Sequence, residues 1–296
     1  MLSTKTPRPT PRLYLTLLVL LIAGSIVLAF GLTITPVPAL ATESRHVAAQ
    51  HTDTTSTVSP TDVITTHTYL PLVVKDLIDP CAPIPGESYG TLPILSSPTD
   101  RPAEEHPDIN LAIRGYEITD AYEGLVDYGG PTDSNAPQLT GLCASGCAPP
   151  FSNVYQVYDW DWENDRRGSL ITVPEVTLVG IDVARGDTVH VPGSGYEIGS
   201  GYEVMVLYAS TERITLKYTR EDNVVWGYTL HVEGICVEPT LLALYEEMNS
   251  AGRGSLPALR SGQAFGRARS SEFGVAIRDT GAFMDPRTRE DWWHDW

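Results

Sequence analysis

Acidic side chains recur at every second position in Tyr158-Asp159-Trp160-Asp161-Trp162-Glu163-Asn164-Asp165. In a loop, such oxygens could ligate calcium. An EF-hand counted from Asp159 would, however, need a carboxylate where Leu170 stands and a central glycine that is absent. In a strand the same spacing sends carboxylates to one face and two tryptophans to the other. The strand reading is the simpler one, and its tryptophan face could stack on a sugar ring. His190 and His231 each alternate with valine or leucine, so each is expected on a sheet face, hydrogen-bonded or exposed, rather than at a metal. No Gly-x-Ser-x-Gly stands between a strand and a helix, which leaves serine hydrolysis without support.

Cys81, Cys143, Cys147 and Cys236 allow three disulfide pairings. Cys143 and Cys147 flank Ala-Ser-Gly and could close a small local loop, leaving Cys81 to Cys236 as the long bridge. A zinc site on one Cys-x-x-x-Cys is the weaker alternative in an exported chain. Gly193, Gly195, Gly199 and Gly201 miss the Gly-x-Gly-x-x-Gly spacing and no helix follows, so they read as hairpin and bulge glycines. Arg253, Arg260, Arg267 and Arg269 form a local basic cluster that either docks an acidic partner or balances charge. The tryptophans of Asp291-Trp292-Trp293-His294-Asp295-Trp296 are expected to pack at a sheet edge.

These residues need a scaffold, and the composition supplies one. Among 296 residues, 42% are hydrophobic and 8% aromatic, enough for a real core and too much for a wholly disordered chain. Lys plus Arg number 20 against 37 Asp plus Glu, a net charge of −17, which argues against binding the polyanions nucleic acid and anionic lipid. Strand signals lie at 176–179, 188–191, 204–208, 213–219, 224–232 and 273–278, with a weaker one at Leu111-Ala112-Ile113. Residues 213–219 alternate polar and apolar, the mark of a half-buried strand. One helix is clear: Pro239 opens it, Leu241, Leu244, Tyr245 and Met248 recur at helical spacing, and Gly252 ends it. The expected fold is mainly β, an antiparallel sheet or sandwich with one inserted α-helix and a loop-rich N-terminal extension.

Residues 176–286 resemble the lysostaphin-type (LytM-like) zinc endopeptidases, which cut peptide cross-links in bacterial cell walls. Leu178-Val179-Gly180-Ile181-Asp182, then Gly186-Asp187-Thr188-Val189-His190-Val191-Pro192, is similar to that family's His-x-Gly-x-Asp and Gly-Thr-x-Val-x-Ala-Pro. Ile214 to Arg220 is similar to its strand ending in Tyr-x-His. Ser261 to Gly266, Glu272 to Arg278 and Met284-Asp285-Pro286 follow its closing motifs in order. The resemblance implies a lysostaphin-like sheet on which only Asp182 remains of the three zinc ligands. Leu178 stands at the first histidine position and Gly274 at the last, while Arg220 and Glu272 align with the two assisting histidines. One carboxylate cannot hold a hydrolytic zinc, so no metal or other cofactor is expected. The implied groove is lined by Asp182, Tyr218, Arg220 and Glu272, with Arg220 between the two carboxylates. An acid–base pair of Glu272 and Asp182, or a zinc relocated to Asp182, His190 and His231, are the catalytic alternatives.

The chain divides into residues 1–41, a signal peptide or membrane anchor; 42–77, a Thr-rich linker and spacer; 78–150, a loop-rich extension; and 151–296, the β-rich domain. Lys5, Arg8 and Arg12 precede an uncharged run from Leu13 to Leu32, and Ala39-Leu40-Ala41 fits a signal peptidase after Pro36 and Pro38 break the helix. Removal of 1–41 takes away three positive charges and leaves a net of −20. The expected location is secreted or cell-surface, with membrane contact only if that segment stays uncleaved. The expected role is a non-catalytic binding or regulatory module for a wall peptide, a glycan or a cell-wall protein. An active wall hydrolase and a structural surface protein are the alternatives.

Overall fold

A computed structural model describes residues 79–96 and 101–296. The leader, the linker and the spacer expected at 1–77 lie outside the described residues. The described residues belong to one compact unit.

An eleven-stranded antiparallel sheet dominates. Its strands are β1 (Gly90–Pro93), β2 (Tyr116–Ile118), β3 (Asn153–Asp161), β4 (Arg166–Leu170) and β5 (Leu178–Asp182), then β7 (Val204–Ala209), β8 (Arg213–Lys217), β9 (Tyr228–Glu233), β11 (Ser255–Leu259), β13 (Glu272–Asp279) and β14 (Ala282–Phe283). In space the order is β1-β11-β7-β8-β9-β13-β5-β3-β2, with β4 on β3 and β14 on β13. A second sheet packs β10 (Ile235–Val237), β12 (Ala264–Ala268) and β6 (Thr188–His190). The mainly β, antiparallel expectation therefore holds. The main core includes Val204, Val206, Leu216, Leu230, Val232, Phe265 and Phe273, each at most 1% exposed.

The helix opened by Pro239 is present as α2 (Pro239–Ser250). The Glu238 carboxylate accepts from the amides of Thr240 at 2.7 Å and Leu241 at 2.9 Å, satisfying first-turn donors that have no partner within the helix. Leu241 and Tyr245 are buried, with Leu244 and Met248 partly so, as the periodicity requires.

Three local expectations are corrected. Leu111-Ala112-Ile113 belongs to a single helical turn, α1 (Leu111–Arg114): the Asn110 side chain caps the amide of Ala112, and Gly115 at φ 69° ends it. The glycines 193–201 do not join two paired strands, because β6 and β7 lie in different sheets. Strand β8 is not half-buried. Ile214 and Leu216 face the main core, yet Thr215 and Lys217 on the opposite face are 2% and 0% exposed. The cover comes from the N-terminal extension, since Thr215 Oγ1 donates to the carbonyl of Ile109 at 2.6 Å. That extension also supplies both ends of the large sheet, β1 pairing with β11 and β2 with β3.

Trp292, in the short helix α3 (Arg289–Trp292), and Trp293 are fully buried, their indole N–H groups donating to the carbonyls of Asp285 and Pro286 at 2.9 and 2.8 Å. Trp296 is exposed.

Candidate functional site

Register decides which of the expected groove residues meet. Glu272 of β13 lies opposite Asp182 of β5, and two residues on Gly274 lies opposite Gly180. Asp182 and Glu272 are thus cross-strand neighbours on one face. Tyr218 is not with them: it points to the main core, 2% exposed, and its hydroxyl donates to the carbonyl of Pro192 at 2.8 Å. Arg220 is not between the carboxylates either. Past the end of β8 its guanidinium donates to the carbonyl of Pro93 in β1, at the far side of the sheet. The expected four-residue groove is therefore reduced to one carboxylate pair.

Glu272 leans across β5 toward β3. Its carboxylate accepts from Ser152 Oγ, from Asn153 Nδ2 at 2.6 Å and from Tyr155 OH at 2.7 Å. Burial, followed by the bond to Glu272 and its charge, pushes the Tyr155 phenol well above its usual range. This reach needs a glycine beneath it: a Cβ on Gly180 would collide with Glu272 Oε2. A carboxylate has about four acceptor positions, and three here are committed to donors on and just before β3. The arrangement ties β3 to β13 across β5. Ser152, Asn153 and Tyr155 escaped the sequence reading, because only the sheet order places β3 beside β5. Asp182 is exposed on the neighbouring strand.

Further along the same face, hydrocarbon fills the space. Leu178 packs with Leu111, Val157, Ala276 and Phe283 in a small second core. A Cβ on Gly274 would stand 3.2 Å from Leu178 Cδ2 and 3.4 Å from Glu233 Cβ. Glu233 is itself buried, with Arg213 Nε 2.8 Å away; burial raises its carboxyl pKa against the lowering pull of that arginine. His231 lies opposite Ala276 in β9, four residues along β13 from the Glu272–Asp182 rung and one strand further off. His190 belongs to the other sheet. Asp182, His190 and His231 do not converge, and no group of three metal-ligating side chains occurs among the described residues.

Both disulfides form, Cys81–Cys236 and Cys143–Cys147, with Cα separations of 5.0 and 5.1 Å. Such bridges fit an oxidising environment. The alternating acidic run is a strand only as far as Asp161. Trp162, Glu163, Asn164 and Asp165 form the turn into β4, and Trp162 packs edge-on against His106 at 5.7 Å. The four clustered arginines disperse. Arg253 is buried on Asp222 at 2.6 Å, Arg269 pairs with Glu212, and Arg260 and Arg267 donate to backbone carbonyls. They make no basic docking face.

A further opening lies elsewhere among the described residues. A cavity of about 680 Å³ is bounded by parts of 128–132, 172–175 and 283–291, none of which the sequence had singled out as a site. Tyr128, Val173, Pro174 and Met284 supply apolar surface, and Glu175, Asp285, Glu290 and Asp291 supply carboxylates. Tyr128 donates to Asp285 at 2.7 Å, and burial together with that contact raises its phenol pKa. Among the described residues no helix is long and apolar enough to cross a membrane. No protein-family model, no curated protein and no solved structure matches the chain.

Proposed function

We propose that this protein is an exported, non-catalytic binding module of the bacterial cell envelope, on a sheet derived from a lysostaphin-like peptidase. One observation carries the reading. Where the resemblance calls for two zinc-binding histidines stand Leu178, packed with Leu111 and Phe283, and Gly274, where even a Cβ would come within 3.2 Å of Leu178 Cδ2. Among the described residues Asp182 belongs to no group of three metal-ligating side chains, and Glu272 serves as an anchor for three donors on and beside β3. A zinc hydrolase needs about three protein ligands and an open position for water. The two disulfides support an exported setting.

The test mixes the full-length protein with isolated peptidoglycan and sediments it, with and without a chelator. The expected result is protein in the pellet and no released wall fragments in either case. Chelator-sensitive release overturns the non-catalytic reading, and protein left in the supernatant overturns attachment to the wall.

A further inference from the structure

The cavity at 128–132, 172–175 and 283–291 is lined by two unlike sets of side chains. One is apolar and unusually open for hydrocarbon: Val173 is 87% exposed and Tyr128 59%, beside Pro131, Pro174 and Met284. Large apolar side chains gathered in one concave place mark a binding surface more often than singly scattered ones do.

The other set is anionic. Glu175, Asp285, Glu290 and Asp291 form it, and no Lys, Arg or His lines the cavity among the described residues. Arg287, fully buried, neutralises part of this set, 2.7 Å from Asp285 and 3.1 Å from Glu175. Glu290 and Asp291 have no such ion pair among the described residues. Burial and the nearby charges of Glu290, Asp133 and Asp279 raise the Asp291 carboxyl pKa, and His294 opposes them only in part. The groove therefore carries negative charge that an incoming cation would relieve.

We propose that this groove binds a short peptide segment bearing a basic side chain, its apolar residues against Tyr128, Val173 and Met284 and its ammonium or guanidinium at Glu290 and Asp291. The volume is that of a small-ligand site and cannot admit a folded domain. Charge complementarity selects a cation, and the aliphatic and prolyl side chains select a peptide over a glycan. The groove has one aromatic ring on which a sugar could stack, Tyr128, besides the buried Phe283, and no side-chain amide among its described residues. The inference rests on the binding-module reading for its biological setting.

The probe is the pentapeptide acetyl-Val-Lys-Pro-Lys-Val-amide, titrated calorimetrically into the full-length protein. Saturable binding is expected, weakened about tenfold in the double variant E290Q/D291N. Added salt weakens it as well. Val173→Ser removes hydrocarbon from the groove without changing its charge, at a residue 87% exposed, and it should weaken binding severalfold. Equal binding by the same pentapeptide with both lysines replaced by norleucine, or by cadaverine alone, would overturn the proposal, as would wild-type affinity in either variant or no saturable binding. Peptide binding by a protein that does not sediment with peptidoglycan would support the groove and sink only the wall attachment. Sedimentation without peptide binding would overturn the groove and leave the wall reading standing.

Discussion

Thr215 and His231 face each other across β8 and β9, and the hydroxyl between them fixes the tautomer of a buried imidazole. Thr215 Oγ1 gives its one proton to the carbonyl of Ile109 at 2.6 Å. Toward His231 Nδ1, 3.1 Å away, it can then only accept. Nδ1 therefore carries the proton. Nε2, buried and without a partner among the described residues, keeps its lone pair.

Burial, followed by the nearby Arg278, pushes the His231 pKa down to about 3 from 6.5. The unfolded chain thus binds this proton more tightly than the folded one, and stability falls as pH drops from about 6.5 toward 3. The loss is roughly 1.4 kcal/mol per pH unit across that window. Nitrogen-15 spectra should show a neutral Nδ1–H tautomer throughout the folded range above pH 4 or so. An imidazolium signal at pH 5 or thereabouts in the folded protein would refute the assignment.

Lys217 is 0% exposed, and its ammonium donates to the carbonyl of Gly227 over 3.4 Å. Across the strand pair its neighbour Thr229 has a buried hydroxyl with no partner among the described residues. Burial is the main cause of a pKa depressed from 10.5 to about 8. The charged form therefore costs stability in full below pH 8, and the deficit shrinks as pH rises toward 10.5. Lys217→Met should raise stability at pH 7 by ~1–3 kcal/mol, since a poorly paired buried charge is replaced by a similar hydrophobic volume. Urea midpoints for the two proteins should draw together near pH 10; a gap that widens with pH would contradict the sign.

Glu272 lies over Gly180, so a methyl group there must displace the carboxylate or the strand. Gly180→Ala is expected to cost ~1–3 kcal/mol, as overpacking does. Glu272→Gln keeps the shape and removes the charge, so Tyr155 should ionise at a lower pH than in the parent protein. An ultraviolet titration reads that shift. An unmoved tyrosine would mean that the contact between Tyr155 and Glu272 is not made in solution.

Much of this fold is written in local patterns. The alternation in β8, the Pro239 start of α2 and the short spacing of Cys143 and Cys147 are properties of a few neighbouring residues, and each led to the right element or bridge. What those patterns do not contain is which element covers which. Leu111 reads equally well as strand or helix until Asn110 caps it, and nothing local says that Ile109 will close the outer face of Thr215. The same limit explains the candidate site. Tyr218 differs in facing from its neighbour Lys217 by one step of the strand, and a resemblance in residue order does not reveal that Arg220 is drawn to the backbone of β1. The groove beside Tyr128 is assembled from three stretches far apart in the sequence, so no local pattern announces it.

The two disulfides should differ in worth because they restrain the unfolded chain by different amounts. Cys81–Cys236 spans a sequence separation of 155, and Cys143–Cys147 only 4. Loop-closure entropy assigns about 5 kcal/mol to the first and about 2 kcal/mol to the second. The long bridge also fastens the start of the extension to β10, in the sheet that does not contain β1 or β2. C81S/C236S should therefore lower the denaturation midpoint far more than C143S/C147S. Cys147 and Cys236 are 3% and 2% exposed, so each double variant buries one serine hydroxyl, and that cost largely cancels in the comparison. Equal losses from the two pairs would show that the unfolded chain already holds its ends together, and the extension would then owe its place to β1 and β2 instead of to the bridge.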